Sequence, residues 1–396
     1  AAPGGENAPD GGTRAGSCDG LENQVGITDG TITIANASDI SGPVPGLFDS
    51  AQLATAAYVA YFNATSDICG RKLELLALDS KSDGGGDQAA YARACEEAFA
   101  VVGSESIFDS GGVRIAEACG IPDLRSGSLT VERSACSVCF PALASQIGVV
   151  TDAGLRFTRE QDRAATDKAA FLYLNTGGSP NLAKSFAEAA ESIGYGVEML
   201  AGIDLSEFNY APYVQQLKDK GVQMVTFVAA SPQAVRLRQA MQQQGYEPKV
   251  YAVSQAQYSN EYVETGGSVV EGTTLGLAHA LLTDTSNAEV QLYQSWLQQV
   301  RPGADATSFG VYAWSAARLF VEKAVALGGR LTRQSLIAAV KAERSWDANG
   351  LHTPMDVGGR IANRCTSIVE LRDSTWTKIT PGKYICGNLV TTSVAR

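Results

Sequence analysis

At 396 residues the chain exceeds a usual single domain. With 45% hydrophobic and 18% charged residues it has enough apolar material for two cores and too little charge for long disorder. A net charge of −11 repels nucleic acid and anionic membrane surfaces, and no run approaches the ~18 to 20 apolar residues that span a bilayer.

The opening "AAPGGENAPDGGTRAGSCDG" carries no basic-plus-apolar leader and reads as a flexible tether over residues 1–24, suited to holding the protein at a membrane face. From there short apolar strands alternate with helices. "TITIANAS" precedes a helix through "DSAQLATAAYVAYFNA", in which Leu53, Ala56, Ala57, Ala60 and Tyr61 recur at helical spacing. "KLELLALDS" precedes "DQAAYARACEEAF", "AVVGS" precedes "GGVRIAEAC", and "IPDLRSGS" follows. A second series runs "KAAFLYLN", "PNLAKSFAEAAESIG", "VEMLAGIDL", "APYVQQLKDKG", "MVTFVAAS", "PQAVRLRQAMQQQG" and "KVYAVSQ", with Gly194, Gly221 and Gly245 stopping its helices. Three helices follow in "NAEVQLYQSWLQQV", "SFGVYAWSAARLFVEKAVALGG" and "TRQSLIAAVKAE", then a terminal β-hairpin in "CTSIVELRDSTWTKITPGKYIC". Two such series predict an α/β protein with two doubly wound parallel sheets.

Ligands of open parallel sheets sit beyond the carboxyl ends of the strands. That rule singles out Ser38 to Phe48, Ser80 to Asp83, Ser104 to Ser110, Arg125 to Ser128, Asn175 to Ser179, Ser231, and Gln255 to Tyr258, all rich in hydroxyl, amide and aromatic groups.

No catalytic constellation stands out. The loop "ASDISGPVPGLFDS" lacks a phosphate-binding glycine pattern and places prolines where backbone donors would be needed. GxSxG is absent. His279, in "LGLAHALL", reads as a core histidine, and His352, in "NGLHTP", as an exposed loop histidine. Neighbouring acids such as Asp79 with Asp83 or Glu96 with Glu97 read as solvated. The chain is therefore expected to bind rather than catalyse, with no cofactor or metal. The eight cysteines include one two-residue spacing, "CSVC", and lie away from histidines at ligand spacing, so disulfides in an oxidising compartment fit better than zinc. Cys69 precedes a strand and Cys95 ends the next helix, which returns towards that strand's start. The preferred pairs are Cys69–Cys95 and Cys365–Cys386, leaving Cys136–Cys139 and Cys18–Cys119; connectivity stays open from sequence alone.

The strings "ITIANASDISGPVPG", "CGRKLELLALDSKSD" with "ACEEAFAVVGS", "IPDLRSGS", "EFNYAPYVQQLKDKGVQMVTFVAAS" and "FGVYAWSAARLFVEKAVALGG", in that order and spacing, resemble the type I periplasmic binding proteins. The likeness is to the solute-binding subunits of branched-chain-amino-acid-type ABC transporters and covers residues 25–389. It implies two lobes joined by three crossovers, near residues 146–151, 277–281 and 349–356. Residues 25–147 plus 279–352 would form one lobe and 148–278 plus 353–392 the other. It also implies an extracytoplasmic monomer that captures a small molecule and delivers it to an ABC permease. A ligand-sensing receptor on the same fold is the alternative, and an enzyme a more distant one.

The resemblance further implies that Ser41, Leu47 and Phe48 cover the ligand. Ser106, Phe108 and Asp109, then Arg125, Ser126, Gly127 and Ser128, would grip a ligand carboxylate. Gln146, Ser179, Ser231, Gln255 and Tyr258 complete the expected set. Amino-acid binders of the family carry an aromatic where this chain has Gly178 or Ser179, and an acid where it has Gln255. A buried ammonium without a carboxylate is costly, so these departures point to a polar or aromatic, carboxylate-bearing or amino-acid-like ligand other than leucine, isoleucine or valine.

Overall fold

A computed structural model describes residues 15–395. The first series forms β1 (Thr31–Ser38), α1 (Asp49–Thr65), β2 (Lys72–Asp79), α2 (Gly84–Glu97), β3 (Ala100–Val102), α3 (Val113–Cys119), β4 (Asp123–Arg125), α4 (Val131–Ala135) and β5 (Cys139–Pro141). These strands pair in parallel in the order β2-β1-β3-β4-β5. Helices cover both faces, which is why most of β1 is buried at successive positions rather than alternating.

The chain leaves this sheet through β6 (Val149–Thr151), then runs α5 (Ala153–Gln161), α6 (Arg163–Thr166), β7 (Ala169–Leu174), α7 (Ser179–Ser192), β8 (Val197–Ile203), α8 (Ala211–Asp219), β9 (Met224–Val228), α9 (Ser231–Gln243), β10 (Val250–Val253), α10 (Asn260–Gly266) and β11 (Thr273–Leu277). It returns to pack α11 (Ala288–Val300) and α12 (Ser308–Leu327) on α1, followed by α13 (Arg333–Lys341). A third passage leads to β12 (Cys365–Arg372), β13 (Thr375–Lys378), β14 (Ile385–Cys386) and β15 (Leu389–Thr391). The second sheet runs β13-β12-β11-β10-β9-β7-β8, with β12 and β13 antiparallel at one edge, while β15 pairs with β6.

Two of the interlobe passages are tied together. Ala280 N–H donates to Leu351 O, Thr353 N–H donates to Ala278 O, and His279 lies opposite His352. His352 is thus buried, not the exposed loop residue expected. Each imidazole donates from Nδ1 to a backbone carbonyl, and each Nε2 accepts from a serine, Ser308 or Ser315, at 2.8 Å. Burial lowers both to about 4, so they sit neutral at the hinge.

Two expectations are corrected. Of the expected tether, residues 1–14 lie outside the described residues, but 16–24 are docked. Gly16 N–H donates to Val325 O, Gly329 N–H donates to Ser17 O, and Cys18 is bonded to Cys69. The disulfides are Cys18–Cys69, Cys95–Cys119, Cys136–Cys139 and Cys365–Cys386, so Cys69–Cys95 and Cys18–Cys119 do not form. The reason is packing: α2 lies against α3, and Cys95 meets the end of that neighbouring helix instead of the start of β2.

Candidate ligand-binding site

A cavity of about 440 Å³ opens where the carboxyl ends of the two sheets face each other. The first lobe contributes Glu105 and Ile107 after β3, Ser126 to Leu129 after β4, Leu143 and Ser145 after β5, and Phe309 and Tyr312 from α12. The second contributes Gln146, Gly178 and Ser179 at the start of α7, and Ser254 and Gln255 after β10. The cavity then continues between the second sheet and helices α5 and α7. There Phe171, Thr226, Ala252, Thr274, Gly276 and Ile368 form its floor, and Gly154, Leu155, Thr158 and Leu182 its roof.

The lining is mostly apolar and Glu105 is its one charged side chain among the described residues. Glu105 is fully buried, which pushes its carboxyl up to about 7 against the pull of the Arg125 charge. Among the residues lining the cavity, buried oxygens of Glu105 (Oε2), Ser128, Ser145, Tyr312 and Thr226 lack hydrogen-bond partners. Unpaired buried polar atoms are rare because each forfeits its solvation. Glu105 and Ser128 stand on the loops after two neighbouring strands, β3 and β4, so the polar part of the lining lies on the first lobe.

Beneath these loops lies a buried ionic network. Arg125 pairs with Asp109 at 3.1 Å and Asp123 at 3.2 Å, and its Nε donates to Gly127 O. Arg133 pairs with Asp123 at 3.0 Å and Asp87 at 3.1 Å, over the ring of Tyr91. Asp109 also accepts from Leu129 N–H at 2.9 Å and Thr130 Oγ1 at 2.6 Å. Asp39, also fully buried, accepts from Ile107 N–H and Ser80 Oγ, tying three strand-end loops together.

Of the expected contacts, Ser126, Gly127, Ser128, Gln146, Ser179 and Gln255 line the cavity, while Ser41, Leu47, Phe48, Ser106, Phe108, Asp109, Arg125, Ser231 and Tyr258 do not. Asp109 and Arg125 are consumed by each other and by the network. Ser106 Oγ accepts from Phe108 N–H, and the Tyr258 hydroxyl accepts from Leu282 N–H. The loop expected to cover the ligand is instead held down on β2. Asp79 accepts from Ile40 N–H, Ser41 N–H and Ser41 Oγ, and Gly42, at φ +105°, has no room for a Cβ against Lys81 O. Phe48 acts one step removed, its ring edge-on to the cavity residue Phe309 with centroids 4.8 Å apart.

The loop in which family members bear an aromatic has a structural reason for glycine. A Cβ on Gly178 would stand 2.2 Å from Leu129 O, because the two lobes touch there. Sequence reasoning covered Glu105 only as part of the Ser104 to Ser110 loop, without naming it as a contact, and missed the whole second-lobe floor. The signal for the floor was present: Thr226, Ala252, Thr274, Gly276 and Thr366 put small residues on one face of strands whose other face is bulky.

A family model described as "Periplasmic binding protein" matches residues 31–375. No curated protein sequence matches the chain. Among solved structures, the fold is similar to a fatty acid ABC transporter substrate-binding protein from Thermomonospora curvata, at 20% identity over 95% of this chain and 96% of that one, with TM-score 0.77. It is also similar to a leucine binding protein from Thermotoga maritima, at 14% identity over 89% and 98%, with TM-score 0.74. A third is a solute-binding protein of an ABC transporter from R. palustris in complex with 4-hydroxybenzoate, at 17% identity over 90% and 97%, with TM-score 0.73. These identities establish a shared fold. The matched family model, the two facing parallel-sheet lobes and the cavity between them together make the chain a member of the periplasmic binding protein family, of type I architecture.

Proposed function

We propose that the protein is an extracytoplasmic solute-binding component of an ABC transporter that captures a small amphiphile, as a monomer, and presents it to the permease. The observation that carries this reading is the cavity itself: about 440 Å³, mostly apolar, with unpartnered oxygens of Glu105 and Ser128 on its first-lobe loops. Such a lining recognises an apolar body through burial and a polar end through a few placed hydrogen bonds.

The head is a hydrogen-bond donor or an acid able to share the Glu105 proton, since no lysine or arginine lines the cavity among the described residues. A zwitterionic amino acid with a short side chain would leave most of the volume empty. Ligand held by both lobes stabilises the closed arrangement over the open one, and a permease that reads closure thereby senses occupancy. The printed names of the structural neighbours, a fatty-acid protein and a 4-hydroxybenzoate complex among them, are compatible with apolar, acid-ended cargo. Thermal unfolding with leucine, 4-hydroxybenzoate and decanoic acid tests the reading. Decanoic acid is expected to raise Tm most, by mass action on the folded state. The largest shift with leucine would overturn it.

A further inference from the structure

The cavity is neighboured by a second hollow in the second lobe. Its floor is one face of the second sheet, on which pairing sets Thr226, Ala252 and Thr274 side by side and Gly276 opposite Ile368. The same face carries on past the cavity to Val250, Gly272, Glu370 and Arg372, where a second, open hollow of about 470 Å³ lies. The roof is continuous too: α5 covers the first space with Gly154, Leu155 and Thr158, and the second with Phe157, Thr158, Gln161 and Asp162. Thr158, Thr274 and Ile368 belong to both, forming a neck between them.

Helix α5 buries only Ala153; Leu155 packs against the cluster around Phe171 and lines the first space, and Phe157 lines the second. The outer hollow is rimmed by charge, with Lys249 3.7 Å from Asp162 and Arg372 2.7 Å from Glu370. From Val228 at the cleft to Met224 at the outer end the floor spans about 13 Å at ~3.3 Å per residue.

We infer that the binding site is a tunnel with two mouths, built for a single unbranched alkyl chain whose polar head sits at Glu105 and Ser128 and whose far end leaves beneath α5. This deepens the amphiphile reading above and rests on it. A closed cavity imposes a sharp upper limit on chain length, since a longer chain must fold back or stay out. A tunnel imposes none: each added methylene tightens binding about fourfold while it is buried, and has no further effect once it reaches water.

The test is a series of octanoic, decanoic, lauric, palmitic and stearic acids, titrated at about pH 6, below the Glu105 value of about 7. The expected result is affinity that climbs with length and then levels, palmitic and stearic acids binding as tightly as the best shorter chain. In Thr158→Trp, which plugs the neck from the roof, the long acids should lose at least tenfold more affinity than octanoic acid does. A second measurement on the unaltered chain guards against misfolding of that variant. A fluorophore at the far end of a bound long-chain acid should be quenched by iodide. A steep fall in affinity from lauric to stearic acid, equal weakening of all lengths by Thr158→Trp, or a shielded fluorophore would each overturn the tunnel while leaving the amphiphile reading intact. If none of the acids binds, both readings fail.

Discussion

The two ends of the cavity are built on opposite terms. At the first lobe, hydroxyl and carboxyl groups of Glu105, Ser128 and Ser145 stand on loops fixed from below by a fully buried ionic network of Asp87, Arg133, Asp123, Arg125 and Asp109. At the second lobe the wall is a sheet face that carries the small residues Ala252, Thr226 and Gly276, with α5 above it. Hydrogen bonds are directional and weaken steeply off axis, so the polar end needs a rigid scaffold. Burial of apolar surface is non-directional, so the other end needs only space kept dry. Under the amphiphile reading proposed above, one lobe sets which head group is accepted, and the other how large a body can follow it.

The comparison breaks most forcefully at Arg133, which touches no part of the cavity wall. In Arg133→Met, Asp87 and Asp123 lose their shared cation in a buried site, and unfolding free energy in urea should fall by about 3–5 kcal/mol. A loss below about 1 kcal/mol would mean that the network does not brace the first lobe.

Ala252→Phe acts at the other end. Its ring would occupy the space of several ligand methylenes, so binding of decanoic acid should weaken about a hundredfold while Tm of the free protein moves little. Equal loss with a ligand too short to leave the first-lobe end would show that the floor does not hold the body.

The smallest effect is a pH dependence that sets Glu105 against the hinge histidines. Glu105 has its folded pKa raised to about 7, so its stabilising contribution is present in acid and is lost as pH rises through about 7. His279 and His352, lowered to about 4, contribute stability present above about 6.5 and lost as pH falls towards 4. Ligand-free Glu105→Gln should thus gain stability relative to the unaltered chain between about pH 5 and pH 8, by about 2 kcal/mol, and should lose stability more steeply on acidification. Parallel stability curves for the two proteins would place Glu105 outside the dry site.

Much of the architecture was legible because it rests on local periodicity. The strand "TITIANAS" is β1 to the residue, and the helices ending at Gly194, Gly221 and Gly245 end there in the structure. The short elements were not. β6 and α5, the roof of the tunnel, carry too few apolar residues for a pattern to show. In the site, loop position singled out Ser126, Ser128, Ser179 and Gln255, which line the cavity. It could not separate Asp109 and Arg125, which satisfy one another, from Glu105, one of whose carboxyl oxygens is left without a partner.

The sequence by itself determined the two-series α/β plan, the loops at the strand ends and the absence of a phosphate-binding or GxSxG pattern, because these depend on neighbours along the chain. Only the tertiary structure decided which polar residues were already paired, which cysteines met, and that small residues on four separate strands shared one face and left a cavity. Those are properties of surfaces brought together from distant positions, and pairing and empty volume exist only once the surfaces meet.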